Sequence, residues 1–138
     1  ARIRILNPDT LSPPGEDLSD REINERSLVL QLQWKEASFL LPSDIGEPTE
    51  SALAARHTIP AGGVLLAPHH GSARSNSSAF LRAVRPGVVV ISTGRPIREE
   101  VLDRLRNTGA VVYRTDAHGA VRVTTDGARY EVVPFKSP

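Results

Sequence analysis

Polar and apolar positions alternate over residues 2–6, Arg-Ile-Arg-Ile-Leu, which is the period of a half-buried strand. Residues 7–24 break that order with three prolines and a glycine. They predict a long loop, of the kind that often covers a site. Residues 27–34 and 37–41 predict two strands joined by the polar Lys35-Glu36 turn, a hairpin. From residue 47 onward, helix and strand patterns alternate. A helix opens at Glu47-Pro48-Thr49-Glu50 and runs to about His57, with proline near its first position and acids in its first turn. Residues 63–67 form a short apolar strand. Ser75, Asn76 or Ser77 caps a second helix that buries Phe80, Leu81 and Val84, and Pro86-Gly87 ends it. Residues 88–92 read as a strand buried on both faces. Pro96 opens a third helix, with Ile97, Val101, Leu102 and Leu105 on one stripe and a stop at Asn107-Thr108-Gly109. Residues 110–115, 120–125 and 128–135 close the chain as strands, with turns at 116–119 and at Asp126-Gly127.

Crossover helices in the middle and hairpins at both ends predict an α/β layer with a mixed sheet and flanking helices. No position marks a second domain, so residues 1–138 are read as one.

The 138 residues include no Cys, which excludes disulfides, thiolate metal ligands and Cys nucleophiles. They also include no Met and begin at Ala1, so the chain reads as a piece of a longer product. The longest apolar runs are strand-sized, too short for a membrane span or a signal peptide. The net charge of +1 hides an asymmetry: residues 69–138 carry 11 Lys and Arg against 6 Asp and Glu. A basic half of this kind faces either solvent, as ordinary helix surface, or a polyanion such as nucleic acid.

Candidate chemistry gathers at two predicted strand ends. Asp44 appears in Leu40-Leu41-Pro42-Ser43-Asp44-Ile45, and paired histidines appear in Ala67-Pro68-His69-His70-Gly71-Ser72. Ligands of open α/β sheets bind outside the carboxyl ends of the strands. Carboxylate oxygen and imidazole nitrogen together suit zinc, manganese or iron. In an extended segment neighbouring side chains point opposite ways, so one of His69 and His70 faces the metal and the other serves as an outer donor or reaches substrate. Gly71 lets the chain turn sharply after them. Taken alone, an Asp such as Asp44 is more commonly a turn residue or a cap of the helix that follows. No Gly-x-Ser-x-Gly elbow surrounds Ser72, which stands as a candidate substrate contact and not as a nucleophile. His57 and His118 read as surface residues, and Asp116 and Asp126 as turn residues.

These residues resemble a known family. Asn24-x-x-Ser27-Leu-Val-Leu, Phe39-Leu-Leu-Pro-Ser-Asp44-Ile with Glu50 after it, and Leu-Ala-Pro-His69-His70-Gly71-Ser72 with Ser75 and Phe80-Leu81 downstream are similar to one region of the metallo-β-lactamase fold. The match is to the version at the C-terminus of bacterial competence DNA-internalisation channels (ComEC type). It continues through Arg85-Pro86, residues 88–92, Val101-Leu102, Gly109, Val112-Tyr113-Arg114-Thr115-Asp116 and Gly119-Ala120-Val121. The resemblance implies the C-terminal half of an αββα sandwich. It also implies a metal-dependent hydrolase, often of phosphodiesters, with zinc or manganese in the complete domain. Asp44 stands in the place of the metal-bridging carboxylate, and His69 or His70 in that of a late histidine ligand. It further implies a soluble domain of a bacterial inner-membrane protein, with DNA as the partner of the whole.

Three departures accompany the resemblance. Pro42-Ser43 stands where the family has Thr-Gly or Ser-Gly. Thr93-Gly94-Arg95-Pro96 lacks a His-Pro, and no His-x-His-x-Asp-His cluster exists anywhere. Asp44, His69 and His70 are therefore a partial site, expected to bind metal weakly or not at all in this chain. Its natural partners are the other half of the domain or, through the sheet face left bare, a second copy. Two further readings are a non-catalytic scaffold or DNA-contacting module, and a hydrolase of a small nucleotide or choline phosphate.

Overall fold

The computed structural model describes residues 1–9, 17–56, 59 and 61–137. The helix end expected at His57 lies outside them, as does most of the proline-rich half of the predicted loop. Among the described residues, eight strands and five helices follow one another in the order β1 (Arg2–Asn7), α1 (Asp20–Glu25), β2 (Val29–Trp34), β3 (Ala37–Leu41), α2 (Glu47–Ala55), β4 (Val64–Leu66), α3 (Ser78–Val84), β5 (Val88–Ile91), α4 (Glu99–Arg106), β6 (Val111–Arg114), α5 (Thr115–His118), β7 (Val121–Thr125) and β8 (Tyr130–Pro134). A 3-10 turn over Pro68–Gly71 follows β4.

The first six strands form one mixed sheet in chain order, and β7 and β8 form a separate hairpin. Strands β1, β2 and β3 are antiparallel, whereas β3, β4, β5 and β6 run parallel. The α/β class, the mixed sheet and both hairpins thus agree with the sequence pattern. Three local expectations are corrected, one being the start of the third helix, which lies at Glu99 and not at Pro96. Residues 20–25 of the predicted loop are helical, because Ser19 and Glu22 form a reciprocal capping box there. Thr115, expected as the end of a strand, and residues 116–118 of the turn expected over 116–119 together make one helical turn.

Leu40, Leu65, Val89 and Ile91 turn to one face of the sheet, where Leu53 of α2, Phe80, Leu81 and Val84 of α3, and Val101, Leu102 and Leu105 of α4 cover them. Each of these side chains is almost fully buried, at about 1.5–3 kcal/mol apiece. Phe39, one position from Leu40, points to the other face, where Tyr130 of the closing hairpin meets it edge-on at 5.6 Å between ring centres. The Tyr130 hydroxyl accepts from the Ser38 N–H at 2.6 Å and lies 3.2 Å from the Ser38 carbonyl, to which it donates. Strand β4 begins only at Val64, opposite Phe39. The phenol therefore satisfies β3 backbone groups just beyond the end of that pairing. Elsewhere this second face stays open: Ile3 and Ile5 of β1 are 66% and 64% exposed and Val111 of β6 is 56% exposed.

Helix α2 begins at Gly46, which has no side chain to cap it. Glu25 from α1 supplies the acceptor instead, taking the Thr49 N–H at 3.1 Å and the Thr49 hydroxyl at 2.6 Å. One turn later, fully buried Glu50 accepts the N–H groups of Asn76 at 2.5 Å and Ser77 at 2.8 Å. That carboxylate fixes the loop entering α3, whose cap is Ser77, accepting from the Phe80 N–H. Burial pushes the Glu50 carboxyl above its ordinary value of 4.5, against the lowering pull of those hydrogen bonds.

Two predictions follow from these ties. Tyr130→Phe leaves the Ser38 groups unsatisfied and costs about 1–3 kcal/mol in chemical denaturation, with faster amide exchange in the β7–β8 hairpin. Glu50→Ala orphans two buried N–H groups and costs about 2–4 kcal/mol. A carboxyl raised in the folded state contributes stability that is full below pH 4.5 and is lost as pH rises through the raised value. The gap between the native chain and Glu50→Ala therefore narrows as pH rises from 4.5. A gap that is flat or widens with pH contradicts this account of Glu50.

Candidate functional site

Four parallel strands place their carboxyl ends along one edge of the sheet, and the segments after them build a single surface. After β3 the chain turns at Ser43 with φ of 52°, a left-handed value that is costly for a residue with a Cβ. The Ser43 hydroxyl donates to the Leu28 carbonyl at 2.7 Å. Asp44 is thereby held at the sheet edge, half-exposed. After β4, His69, His70 and Gly71 are all left-handed, with φ of 49°, 54° and 76°. Gly71 is needed twice over, since a Cβ there would also press on Ile91 and Ile97. The two turns are joined directly: the His69 N–H donates to the Ser43 carbonyl at 2.9 Å.

This left-handed turn corrects the expectation that the histidines project to opposite sides of an extended strand. His70 Nδ1 lies 2.8 Å from the Ser92 carbonyl at the end of β5, an acceptor that requires the Nδ1–H tautomer. His70 Nε2 then faces Asp44 Oδ1 at 3.6 Å. That separation is too long for a hydrogen bond and sets two acceptors against one another. A cation seated between them would meet two acceptors. Ser92 is itself steadied by the next strand: Thr115 Oγ1, at the end of β6, accepts the Thr93 N–H and donates to the Thr93 carbonyl, each at 2.8 Å. A histidine whose second nitrogen is fixed by a backbone carbonyl is the usual arrangement for a metal ligand.

Asp44 and His70 are thus brought together, while His69 forms the wall between two adjoining clefts. Ser72 lines the first of these, and its hydroxyl accepts the Arg74 N–H at 3.2 Å. Among the described residues no group of three or more His, Asp or Glu side chains converges on one point. A tetrahedral zinc site takes three or four protein ligands, and among the described residues Asp44 and His70 bring two candidate donors together. Asp116 turns away from this surface into a bidentate pair with Arg114, which holds its carboxyl below the usual range. His118 is not a free surface residue: it is half-buried, with Nδ1 against the Arg114 backbone and its ring edge-on to Tyr113. Asp126 is a turn residue as expected, accepting the N–H groups of Ala128 and Arg129.

The supporting shell was not visible in the sequence. Ser92 and Thr115 are ordinary strand-end residues until the parallel register sets them beside the histidine turn. The loop 75–77 is similar: Ser75 donates to the Ile45 carbonyl and Asn76 to that of Pro68, tying the segments after β3 and β4 to each other. A polar Ser-Asn-Ser run before a helix signals a cap, but not these long-range bonds. Among the described residues no helix is long and apolar enough to cross a membrane.

No family model matches the chain. It is 34% identical over 109 residues to competence protein ComA of Neisseria gonorrhoeae, an alignment covering 72% of this chain and 15% of that protein. It is also 34% identical over 132 residues to recombination protein 2 of Haemophilus influenzae, covering 92% of this chain and 16% of that protein. The chain therefore corresponds to a short segment, under one-sixth by these alignments, of the curated relatives it matches. By sequence, the two similarities support kinship with a competence-related family.

Proposed function

We propose that this chain is the C-terminal part of a metallo-β-lactamase-like domain, in which Asp44 and His70 are two donors of a divalent-metal site. The observation that carries the reading is the pairing of His70 Nε2 with Asp44 Oδ1 at 3.6 Å, with His70 Nδ1 held by the Ser92 carbonyl. The remaining donors would come from chain outside these 138 residues. A divalent ion there supplies Lewis-acid charge for phosphodiester hydrolysis. The protein's own residues do the rest: Ser92 and Thr115 orient His70, and the linked left-handed turns hold Asp44 beside it. The kinship with competence proteins supports DNA as the substrate of the parent protein and a membrane-associated setting for it. The open sheet face around Ile3, Ile5 and Val111 suits the missing half of a sandwich.

The test is a metal titration of the 138-residue chain by calorimetry with Zn²⁺ and Mn²⁺. Weak binding is expected, abolished by Asp44→Ala and by His70→Ala and retained by His69→Ala. The same first two substitutions in the longer parent should abolish DNA hydrolysis. Equal losses from His69→Ala and His70→Ala would reject the assignment of His70. Tight binding of two metal ions with turnover by this chain alone would reject the half-site. A parent with no metal-dependent turnover would leave a scaffold or DNA-contacting module as the function.

A further inference from the structure

The two clefts that meet at His69 differ in charge. The second, of about 920 Å³, carries Asp20, Glu25, Asp44 and Glu47 against Arg21 and Arg74. The first, of about 620 Å³, is lined by Arg74, Arg95 and Arg98 with both histidines, and by no carboxylate. Arg74 and Arg95 are exposed, and among the described residues neither guanidinium is in an ion pair. Arg98 has a loose partner in Glu100 at 3.7 Å. The adjacent acid Glu99 is taken by Arg106 at 2.6 Å and does not compete for the cleft. Arginines that the fold leaves without an ion pair in one groove make a receptor for anions, and the planar guanidinium suits phosphate in particular.

The lining also says how a polyanion would be read. It holds no Phe, Tyr or Trp, the broad platforms on which successive bases stack most strongly, so contacts to the strand fall mainly on its backbone. Contacts to the backbone position a strand but carry no sequence information. We infer that the Arg74–Arg95 cleft seats the phosphodiester backbone of a nucleic-acid strand next to the Asp44–His70 pair, without regard to base sequence. Arg98, already paired, contributes less. The Ser72 hydroxyl accepts the Arg74 N–H and keeps its own O–H as a donor beside the cleft. This inference rests on the hydrolytic reading for the role of the seated phosphate, but the binding itself needs no metal.

The experiment is fluorescence-anisotropy titration of the 138-residue chain with labelled single-stranded oligodeoxynucleotides, oligothymidine and a mixed sequence, in EDTA and over a range of salt. Equal affinity for both sequences is expected, weakening steeply with salt. Arg74→Ala and Arg95→Ala should each lower affinity several-fold and reduce the salt slope by about 0.7, the value for one single-strand phosphate contact. Arg82→Ala removes the same charge from exposed α3 surface outside both clefts and should change neither. Asp44→Ala should not weaken binding. The inference is overturned if Arg82→Ala costs as much as the cleft variants, if the slope is unmoved by them, or if the two sequences bind unequally. Failure of the hydrolytic reading appears separately, in the metal titration, where Arg74→Ala and Arg95→Ala should behave as the native chain.

Discussion

Strands β3, β4, β5 and β6 run parallel and adjacent, so four carboxyl ends reach the same edge of the sheet, and the rest of the structure depends on that alignment. Each end contributes one part: Asp44 after β3, the histidine turn after β4, the Ser92 carbonyl at β5 and Thr115 at β6. Parallel pairing requires a crossover between strands, and the helices that make the crossovers cover one face with leucine, valine and phenylalanine. The hydrophobic layer that stabilises the sheet thereby also sets the spacing of its polar edge.

That edge is held by backbone geometry more than by side-chain packing. Ser43, His69 and His70 adopt left-handed conformations that cost free energy in any residue other than glycine, and the Ser43–His69 hydrogen bond links the two turns. Buried Glu50 stiffens the surface from beneath, by binding two N–H groups of the loop that leads into α3. A charged carboxylate in that position is expensive to desolvate, which its raised proton affinity reports. The gain is a loop whose outer residues, Arg74 among them, keep a defined relation to the histidines.

Much of the fold was legible in the order of the residues, and the reason is periodicity. The alternation of residues 2–6, the continuous apolar run before Ser92 and the stripe of Val101, Leu102 and Leu105 each lie in an element of the expected type, although Ile3 and Ile5 are exposed and Val88 and Val90 are only half-buried where burial on both faces was expected. Failures came where local polar chemistry outweighed hydrophobic pattern. The Ser19–Glu22 capping box makes a helix with no buried residue, so no apolar stripe announces it. The third helix starts at Glu99 and not at Pro96, because the backbone is still extended at Arg98, with ψ of 136°. For the site, Asp44 and the His-His-Gly-Ser run were legible as unusual polar residues at strand ends. Which histidine meets Asp44 was not, because an extended strand and a left-handed turn aim the same pair of side chains in different directions.

The sequence alone determined the class of fold, the two strand ends that carry a carboxylate and paired imidazoles, the absence of thiol chemistry and the surplus of positive charge beyond residue 68. All of these depend on residue identity and near-neighbour spacing. Only the tertiary structure decided that His70 and not His69 faces Asp44, that Ser92 sets its tautomer, and that Arg74 and Arg95 share a groove without acids. Those facts join residues some twenty or more positions apart in the chain. They follow from strand register and from turns of uncommon handedness, which composition and spacing do not encode.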